Sequence, residues 1–316
     1  MARHSHPHSH GHVHIGAEAG DRRLWWAVLV NVALTFVQVV AGILAGSLAL
    51  VADGVHNLSD AVSLGIAYGA RRIARRPSDE LMTFGYVRAE SIAALINYTT
   101  LIVIGVYLAY EAVARFFAPA EVEGWIVVWV AGVALAIDAV TALLTFSLAK
   151  TSQNVRAAFL HNLADALGSV AVIVAGALIL TFGWYIVDPI VTIGISAYIL
   201  WMALTEIGSV IRLLMLGVPP EISVDELVDA IRKVDGVENV HHVHVWAIDE
   251  HRTSLEAHIV VPDALASDPK PIKDRIRELV RDRFGVSHMT LEVERASECH
   301  EGEHANIIGH QIGARH

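Results

Sequence analysis

The sequence predicts an α-helical membrane protein with six transmembrane helices, followed by a C-terminal cytoplasmic α+β domain. Of its 316 residues, 54% are hydrophobic and 18% are charged, whereas soluble domains average about 45–50% and about 25%. The apolar residues are also concentrated: Leu24–Ala52 contains no charged residue, and a membrane-spanning helix needs only about 20 apolar residues. After Arg212, short alternating segments replace the long apolar runs. These observations exclude a wholly soluble protein and a disordered one.

Long apolar runs separated by turn residues define the helices of the membrane part. They predict six helices, at residues 24–46, 48–70, 89–116, 124–148, 155–181 and 186–213. Gly46-Ser47 marks the first turn, and Phe182-Gly183 marks the fifth. The first run is too long for a cleaved signal peptide, so we expect it to form membrane helices.

Basic residues predict how these helices are oriented. Ten lysines and arginines lie in segments 1–23, 71–88 and 149–156, whereas the alternate connections hold none. The positive-inside rule therefore predicts a multi-pass protein of the cytoplasmic (inner) membrane with both termini in the cytoplasm. The net charge of -10 argues against a nucleic-acid partner. The single cysteine, Cys299, excludes an intramolecular disulfide.

The part of the chain after residue 213 has the pattern of a small α+β domain. Helical spacing or strand-like alternation predicts a helix at 224–234, strands at 240–248 and 254–261, a helix at 271–284 and a strand at 289–293. The order αββαβ indicates a sheet packed against two helices.

Four segments follow from these patterns. They are a His-rich cytoplasmic tail at 1–23, a six-helix transmembrane domain at 24–213, the α+β domain at 214–296, and a flexible His-containing tail at 297–316. Six histidines alternate with other residues from position 4 to position 14. A tract of this kind favours loose metal capture, and a cloning tag is the alternative.

Ionisable residues inside two predicted membrane helices form the clearest candidate site. His56 and Asp60 lie four residues apart in HNLSDA, and His161 and Asp165 do so in HNLADA. Each pair projects from one helix face. Two imidazoles and two carboxylates are a ligand set that suits tetrahedral Zn²⁺, and the two negative charges balance the ion. Asp53 shares the face of His56 and is predicted to orient a ligand. Hydrogen bonding between helices is the alternative interpretation.

The chain resembles the cation diffusion facilitators, a family of dimeric divalent-metal/proton antiporters. The matching stretches are SLALVADGVHNLSDA (47–61), FGYVRAE (84–90), FLHNLADALGSV (159–170), Asp188-Pro189 and GVENVHHVHVW (236–246). The resemblance implies that His56, Asp60, His161 and Asp165 form the transport site. Histidine at the first position of both motifs resembles the zinc-preferring branch of the family.

The resemblance also implies a second metal site in the cytoplasmic domain. That domain is expected to have a metallochaperone-like (ferredoxin-like) fold and to form a homodimer, with metal held by His241, His258, Glu292 and Glu294. Strand alternation in VHHVHVW predicts that His242 and His244 share one face of the strand and that His241 lies on the other. Relatives sometimes use a tail cysteine, and Cys299, His300 and His304 are candidates for such a role.

The sequence departs from the family pattern at two places. Some members bind metal in the loop between the second and third helices through histidines, but the aligned positions here are Met82 and Tyr86. We therefore predict no tight metal site at Asp79. Asp138 stands where relatives often carry asparagine. It is either a proton-pathway residue or a group hydrogen-bonded to polar neighbours such as Asn31, Gln38 or Asn97.

These features predict a secondary transporter that exports Zn²⁺ from the cytoplasm in exchange for protons, without a cofactor. A broader exporter of Cd²⁺ or Co²⁺ is the alternative, and a membrane metal sensor is another. No GxxxxGK[ST] motif occurs, which argues against an ATP-driven pump. A zinc enzyme uses three protein ligands and keeps one coordination position open, whereas the predicted site has four protein ligands, so we do not expect an enzyme.

Overall fold

The computed structural model describes residues 32–149, 153–249 and 252–297, without the side chains of residues 60, 61, 64, 67, 68, 141–149 and 153–162. The helices are α1 (Val32–Ala45), α2 (Leu48–Ala74), α3 (Ala89–Phe117), α4 (Gly124–Ala149), α5 (Gln153–Phe182), α6 (Val187–Leu214), α7 (Val224–Arg232) and α8 (Lys270–Phe284). The strands are β1 (Asn239–Ala247), β2 (Thr253–Val261) and β3 (His288–Arg295).

A helix lies at each of the six places predicted for the membrane part, although residues 24–31 of the first lie outside the described residues. The largest difference at a described end is in α2, which continues to Ala74 instead of ending at residue 70. Arg71 and Arg72 lie in its last turn, where positive charge stabilises the helix dipole. The helix therefore extends beyond its apolar stretch.

Three stretches of the described residues are long and apolar enough to cross a membrane: Ala89–Phe117, Leu163–Phe182 and Val187–Leu214. Val32–Ala45 and Gly124–Val140 are apolar but shorter. The remaining long helix, α2, carries Asp53, His56 and Asp60 within its sequence. The structure therefore supports three of the six predicted spans by length and composition.

The described chain divides into two compact units, residues 32–65 with 101–201, and residues 66–100 with 202–297. In the first unit, small residues let the helices approach closely. A Cβ atom added to Gly124 at the start of α4 would lie 2.8 Å from the carbonyl oxygen of Gly176 on α5. Ala49 and Ala131 are fully buried in the same cluster. Close packing of small residues is the usual basis of helix association in membranes.

The second unit contains the predicted αββαβ domain, and the structure confirms the order of its elements. β1 pairs antiparallel with β2, and β2 pairs parallel with β3, which requires the crossover through α8. One face of the sheet packs against both helices in an apolar core, whose members include Leu227, Ile231, Val243, Leu255, Ile259, Ile276 and Val280. The Ser223 hydroxyl caps α7 by accepting from the amide of Glu226, and Gly285 ends α8 with a left-handed φ of 67°.

The alternation predicted for β1 is wrong for His241, which does not lie on the face opposite His242 and His244. The register of β1 against β2 shifts between His241, which pairs with His258, and His244, which pairs with Glu256. His242 lies in the shift with a φ of 51°. This extra residue is a β-bulge, and it changes the alternation of every residue that follows. His241 and His244 therefore lie on the same face, opposite the apolar core.

Candidate metal centres

Two of the four predicted transport-site side chains meet in the first unit. His56 on α2 and Asp165 on α5 approach to 3.3 Å between Nε2 and Oδ1, with 6% and 9% of their side chains exposed. Asp60 and His161 follow or precede them by one helical turn on the same two helices. The side chains of these two residues lie outside the described part of the structure. The structure thus shows the position of one predicted ligand from each motif.

The separation of His56 and Asp165 matches the edge of a tetrahedral zinc site. Zinc lies about 2.0–2.1 Å from histidine nitrogen and about 2.0–2.2 Å from carboxylate oxygen, which places two ligand atoms roughly 3.4 Å apart. The observed separation is 3.3 Å. The ring of Tyr198 on α6 packs edge-on against the His56 ring, with 5.9 Å between centroids. Tyr198 restricts the orientation of the imidazole, and no motif in the sequence identifies it.

Asp53 is buried one helical turn before His56, and its hydrogen bonds join three helices. Its Oδ2 accepts from Nε2 of Gln38 on α1 at 3.0 Å and from the hydroxyl of Ser169 on α5 at 3.2 Å. The absence of a side chain at Gly168 makes room, because a Cβ there would lie 3.2 Å from Asp53 Oδ1. Gln38, which the sequence suggested as a partner of Asp138, thus donates its amide to Asp53.

The predicted cytoplasmic ligands gather on the open face of the sheet. His241 Nε2 lies 3.4 Å from Glu294 Oε2, and His258 Nδ1 lies 2.5 Å from Glu294 Oε1. Each of these three residues offers one ligand atom, and the three atoms lie within 4.8 Å of one another. Glu292 is more peripheral: its Oε2 is 3.6 Å from His258 Nε2, and 68% of its side chain is exposed.

The bulge in β1 adds two more imidazoles to this face. The ring centroid of His242 lies 4.9 Å from that of His244 and 4.7 Å from that of His258. Sequence analysis placed His242 and His244 away from His241 because regular alternation does not include a bulge. Cys299, His300, His304 and the N-terminal histidines lie outside the described residues.

The loop between α2 and α3 uses Asp79 to hold its own backbone. The Asp79 carboxylate accepts from the amides of Leu81 and Met82 at 2.9 and 2.8 Å and from the hydroxyl of Tyr86 at 2.7 Å. The Tyr86 hydrogen bond, followed by those from the backbone, lowers the pKa of Asp79 below its usual value. The carboxylate therefore stabilises the loop, and the absence of a tight metal site there stays a prediction.

Arg88, from the FGYVRAE stretch, connects the same loop to the end of β1. Its guanidinium donates to the carbonyl oxygens of Ala247 at 3.2 Å and Ile248 at 3.4 Å. Nothing in the sequence predicts this contact, because its partners are backbone atoms 159 and 160 residues away.

Two family models match this chain, one for each of its two predicted parts. The family described as "Cation efflux transmembrane domain" matches residues 24–215, and "Cation efflux protein, cytoplasmic domain" matches residues 219–296. The zinc transporter ZitB of Escherichia coli is 35% identical over 92% of this chain and 93% of its own length. The metal cation efflux system protein CzcD of Cupriavidus metallidurans is 32% identical over 99% and 96%. A cadmium, cobalt and zinc/H(+)-K(+) antiporter of Bacillus velezensis is 34% identical over 84% and 85%.

Proposed function

The chain belongs to the cation diffusion facilitator family of integral membrane metal transporters, and we propose that it exports Zn²⁺ from the cytoplasm in exchange for protons. The observation that carries this proposal is the 3.3 Å approach of His56 and Asp165 from two helices. A mixed nitrogen and oxygen ligand pair at this spacing suits zinc. The relatives named for zinc transport support zinc as the cargo.

The complete site in this proposal is His56, Asp60, His161 and Asp165. Two carboxylates neutralise one divalent cation, which offsets much of the cost of bringing the ion away from water. Transport needs no bond chemistry and no cofactor. It needs a site that binds zinc on one side of the membrane and releases it on the other.

Proton coupling follows from the ligands themselves. Neutral imidazole and ionised carboxylate bind metal through lone pairs that a proton also binds, so metal binding releases protons. Protons that reach the site from the outside therefore compete with zinc and promote its release. The protonated site then returns to the cytoplasmic side.

In the proposed topology the chain crosses the cytoplasmic (inner) membrane six times, and both termini lie in the cytoplasm. Three long apolar stretches support it, together with two shorter apolar helices. The basic residues of segments 1–23, 71–88 and 149–156 support the orientation. The match to the family's cytoplasmic domain supports a homodimer.

We also propose that the cytoplasmic domain binds regulatory zinc through His241, His258 and Glu294, with Glu292 at the edge of the site. The grouping of three donor atoms within 4.8 Å supports this assignment. Because β1, β2 and β3 each contribute a ligand, an ion there would hold the three strands together.

Zinc flux into proteoliposomes, with and without Asp165→Ala, tests the transport proposal. We expect flux from the wild-type protein and none above empty liposomes from the variant, because Asp165→Ala leaves the charge of the ion unbalanced. Thr181→Val is the matched control on α5, since it removes only a hydroxyl that bonds within the helix. A metal sensor or an enzyme would give no flux even in the wild type. Normal flux from Asp165→Ala at wild-type abundance would disprove the ligand assignment.

A further inference from the structure

A second group of polar side chains lies at the turn between α1 and α2, in the same unit as the transport site. Asp188, at the start of α6, has 1% of its surface exposed. Its Oδ1 accepts from the hydroxyl of Ser47 at 2.5 Å, and its Oδ2 accepts from the amide of Leu48 at 2.8 Å. The amide of Ala49 lies 3.4 Å from Oδ1. A carboxylate from α6 therefore caps the first turn of α2.

Arg115 on α3 holds the other side of this turn. Its Nη1 donates to the carbonyl oxygen of Gly46 at 2.6 Å, and its Nε pairs with Glu111 at 3.1 Å. Gly46 has a φ of 71°, and a Cβ there would lie 2.8 Å from the carbonyl oxygen of Glu121. We call Ser47, Arg115 and Asp188 together the clasp.

The clasp satisfies backbone groups that the helices cannot satisfy themselves. The first amides of a helix and its last carbonyls have no partner within the helix. A carboxylate at a helix N-terminus is favoured by the helix dipole, and charge-assisted hydrogen bonds are stronger than neutral ones. Because both groups come from other helices, the clasp ties the turn between α1 and α2 to α3 and α6. His56 lies eight residues after Leu48, the first residue of α2, which is about 12 Å along the helix.

We propose that the clasp is a latch, which keeps this end of the helix bundle closed while zinc loads and opens when zinc leaves. The proposal rests on the proposed transport function and on its orientation, which places this turn on the outer side. In this proposal α2 and α6 separate at this end during transport, so that the ligands on α2 and α5 meet the outside. A polar latch suits this movement because water can replace each of its hydrogen bonds once the end opens.

The latch has a consequence that a purely structural role lacks. If Asp188→Asn weakens the closed state, fewer molecules are ready to load zinc from the cytoplasm. The apparent affinity for zinc falls in proportion to that fraction. We therefore expect the half-saturating zinc concentration to rise several-fold, with a smaller change in the maximal rate.

The test follows the access of water to the outer half of the bundle. Ser196, fully buried on α6 about two turns beyond Asp188, becomes a reporter as Ser196→Cys in a Cys299→Ser background. A membrane-impermeant thiol reagent is added from the outer side of intact cells. We expect slow labelling with the clasp intact and several-fold faster labelling with Asp188→Asn. Thr192→Val is the matched control: it removes one buried hydroxyl that bonds the backbone carbonyl of Asp188 and leaves the carboxylate in place.

Arg115→Gln tests the other half of the clasp, and decides the matter if Asp188→Asn does not accumulate. It should change labelling and half-saturating zinc in the same direction. The proposal is overturned if the clasp variant that accumulates is labelled at the control rate and keeps the wild-type half-saturating zinc concentration. Zinc flux of the wild-type protein separates this failure from a failure of the proposed function. If only the latch proposal is wrong, the wild-type protein still transports zinc; if the proposed function is wrong, it does not.

Discussion

His56 and Asp165 show how two residues from separate helices can form one side of a zinc site. Their donor atoms are already separated as neighbouring zinc ligands would be. The Tyr198 ring restricts the imidazole from α6, and Asp53 links α2 to α1 and α5. Packing against α6 therefore restricts the His56 ring, and the hydrogen bonds of Asp53 join its helix to α1 and α5, which would favour selection of the metal by ligand geometry.

Replacing one imidazole should change which metals are carried. His56→Asp exchanges a borderline nitrogen donor for a hard oxygen donor, and oxygen donors favour ions such as Mn²⁺. We expect zinc flux to fall and manganese flux to appear, measured for both ions in the same proteoliposomes. His288→Asp is a control, because it makes the same exchange at an exposed position on β3. Unchanged selectivity in His56→Asp would mean that this imidazole does not bind the transported ion.

Asp79 should matter for the loop and not for transport. We expect Asp79→Ala to leave zinc flux near the wild-type rate and to lower the melting temperature slightly at neutral pH. The folded pKa of Asp79 is lowered by Tyr86, so its stabilising effect exists above the ordinary aspartate pKa and is lost as pH falls through the folded value. The difference in melting temperature should therefore shrink in acid. A zinc-dependent rise in melting temperature that disappears in Asp79→Ala would instead indicate a metal site.

At the scale of secondary-structure elements, the sequence predicted what repeats and missed what is irregular. The HNLSDA and HNLADA stretches were informative because helical periodicity places residues four apart on one face. His241 was assigned to the wrong face of β1 because no sequence pattern indicates the bulge at His242. Arg88 and the clasp were missed because their acceptors include backbone atoms brought near by tertiary packing. Sequence analysis identified Asp188 only as part of a stretch that matches the family, and it predicted no role for this residue.

The strands β1, β2 and β3 make a prediction of their own. The fragment 217–296 contains a complete apolar core, so we expect it to fold and to melt at a higher temperature with micromolar zinc. Its sheet would be stabilised by an ion that joins His241, His258 and Glu294. The double variant His241→Ala, His258→Ala should lose most of that gain, and His288→Ala, at an exposed position on β3, should keep it. Equal melting temperatures with and without zinc would reject the regulatory site.

At the scale of the whole molecule, two metal sites with different burial carry out different tasks in our account. The site on α2 and α5 is buried among apolar helices and moves zinc. The proposed site on the sheet combines the buried His241 with the half-buried His258 and Glu294, and we propose that it senses zinc. Binding at the second site can change transport only through a coupling free energy between the two. Its loss should therefore change the zinc dependence of transport more than the maximal rate.

Zinc uptake driven by an imposed pH gradient tests the central claim most directly. Wild-type protein is reconstituted in liposomes with an acidic interior, and zinc is added outside while zinc and pH are followed inside. We predict zinc accumulation above the external concentration and a zinc-dependent rise in internal pH, and we expect neither when a protonophore has dissipated the pH gradient before zinc is added. A potassium gradient imposed without a pH gradient should not drive zinc accumulation. Zinc uptake that is the same with and without the pH gradient, with no movement of protons when zinc is added, would contradict proton-coupled export.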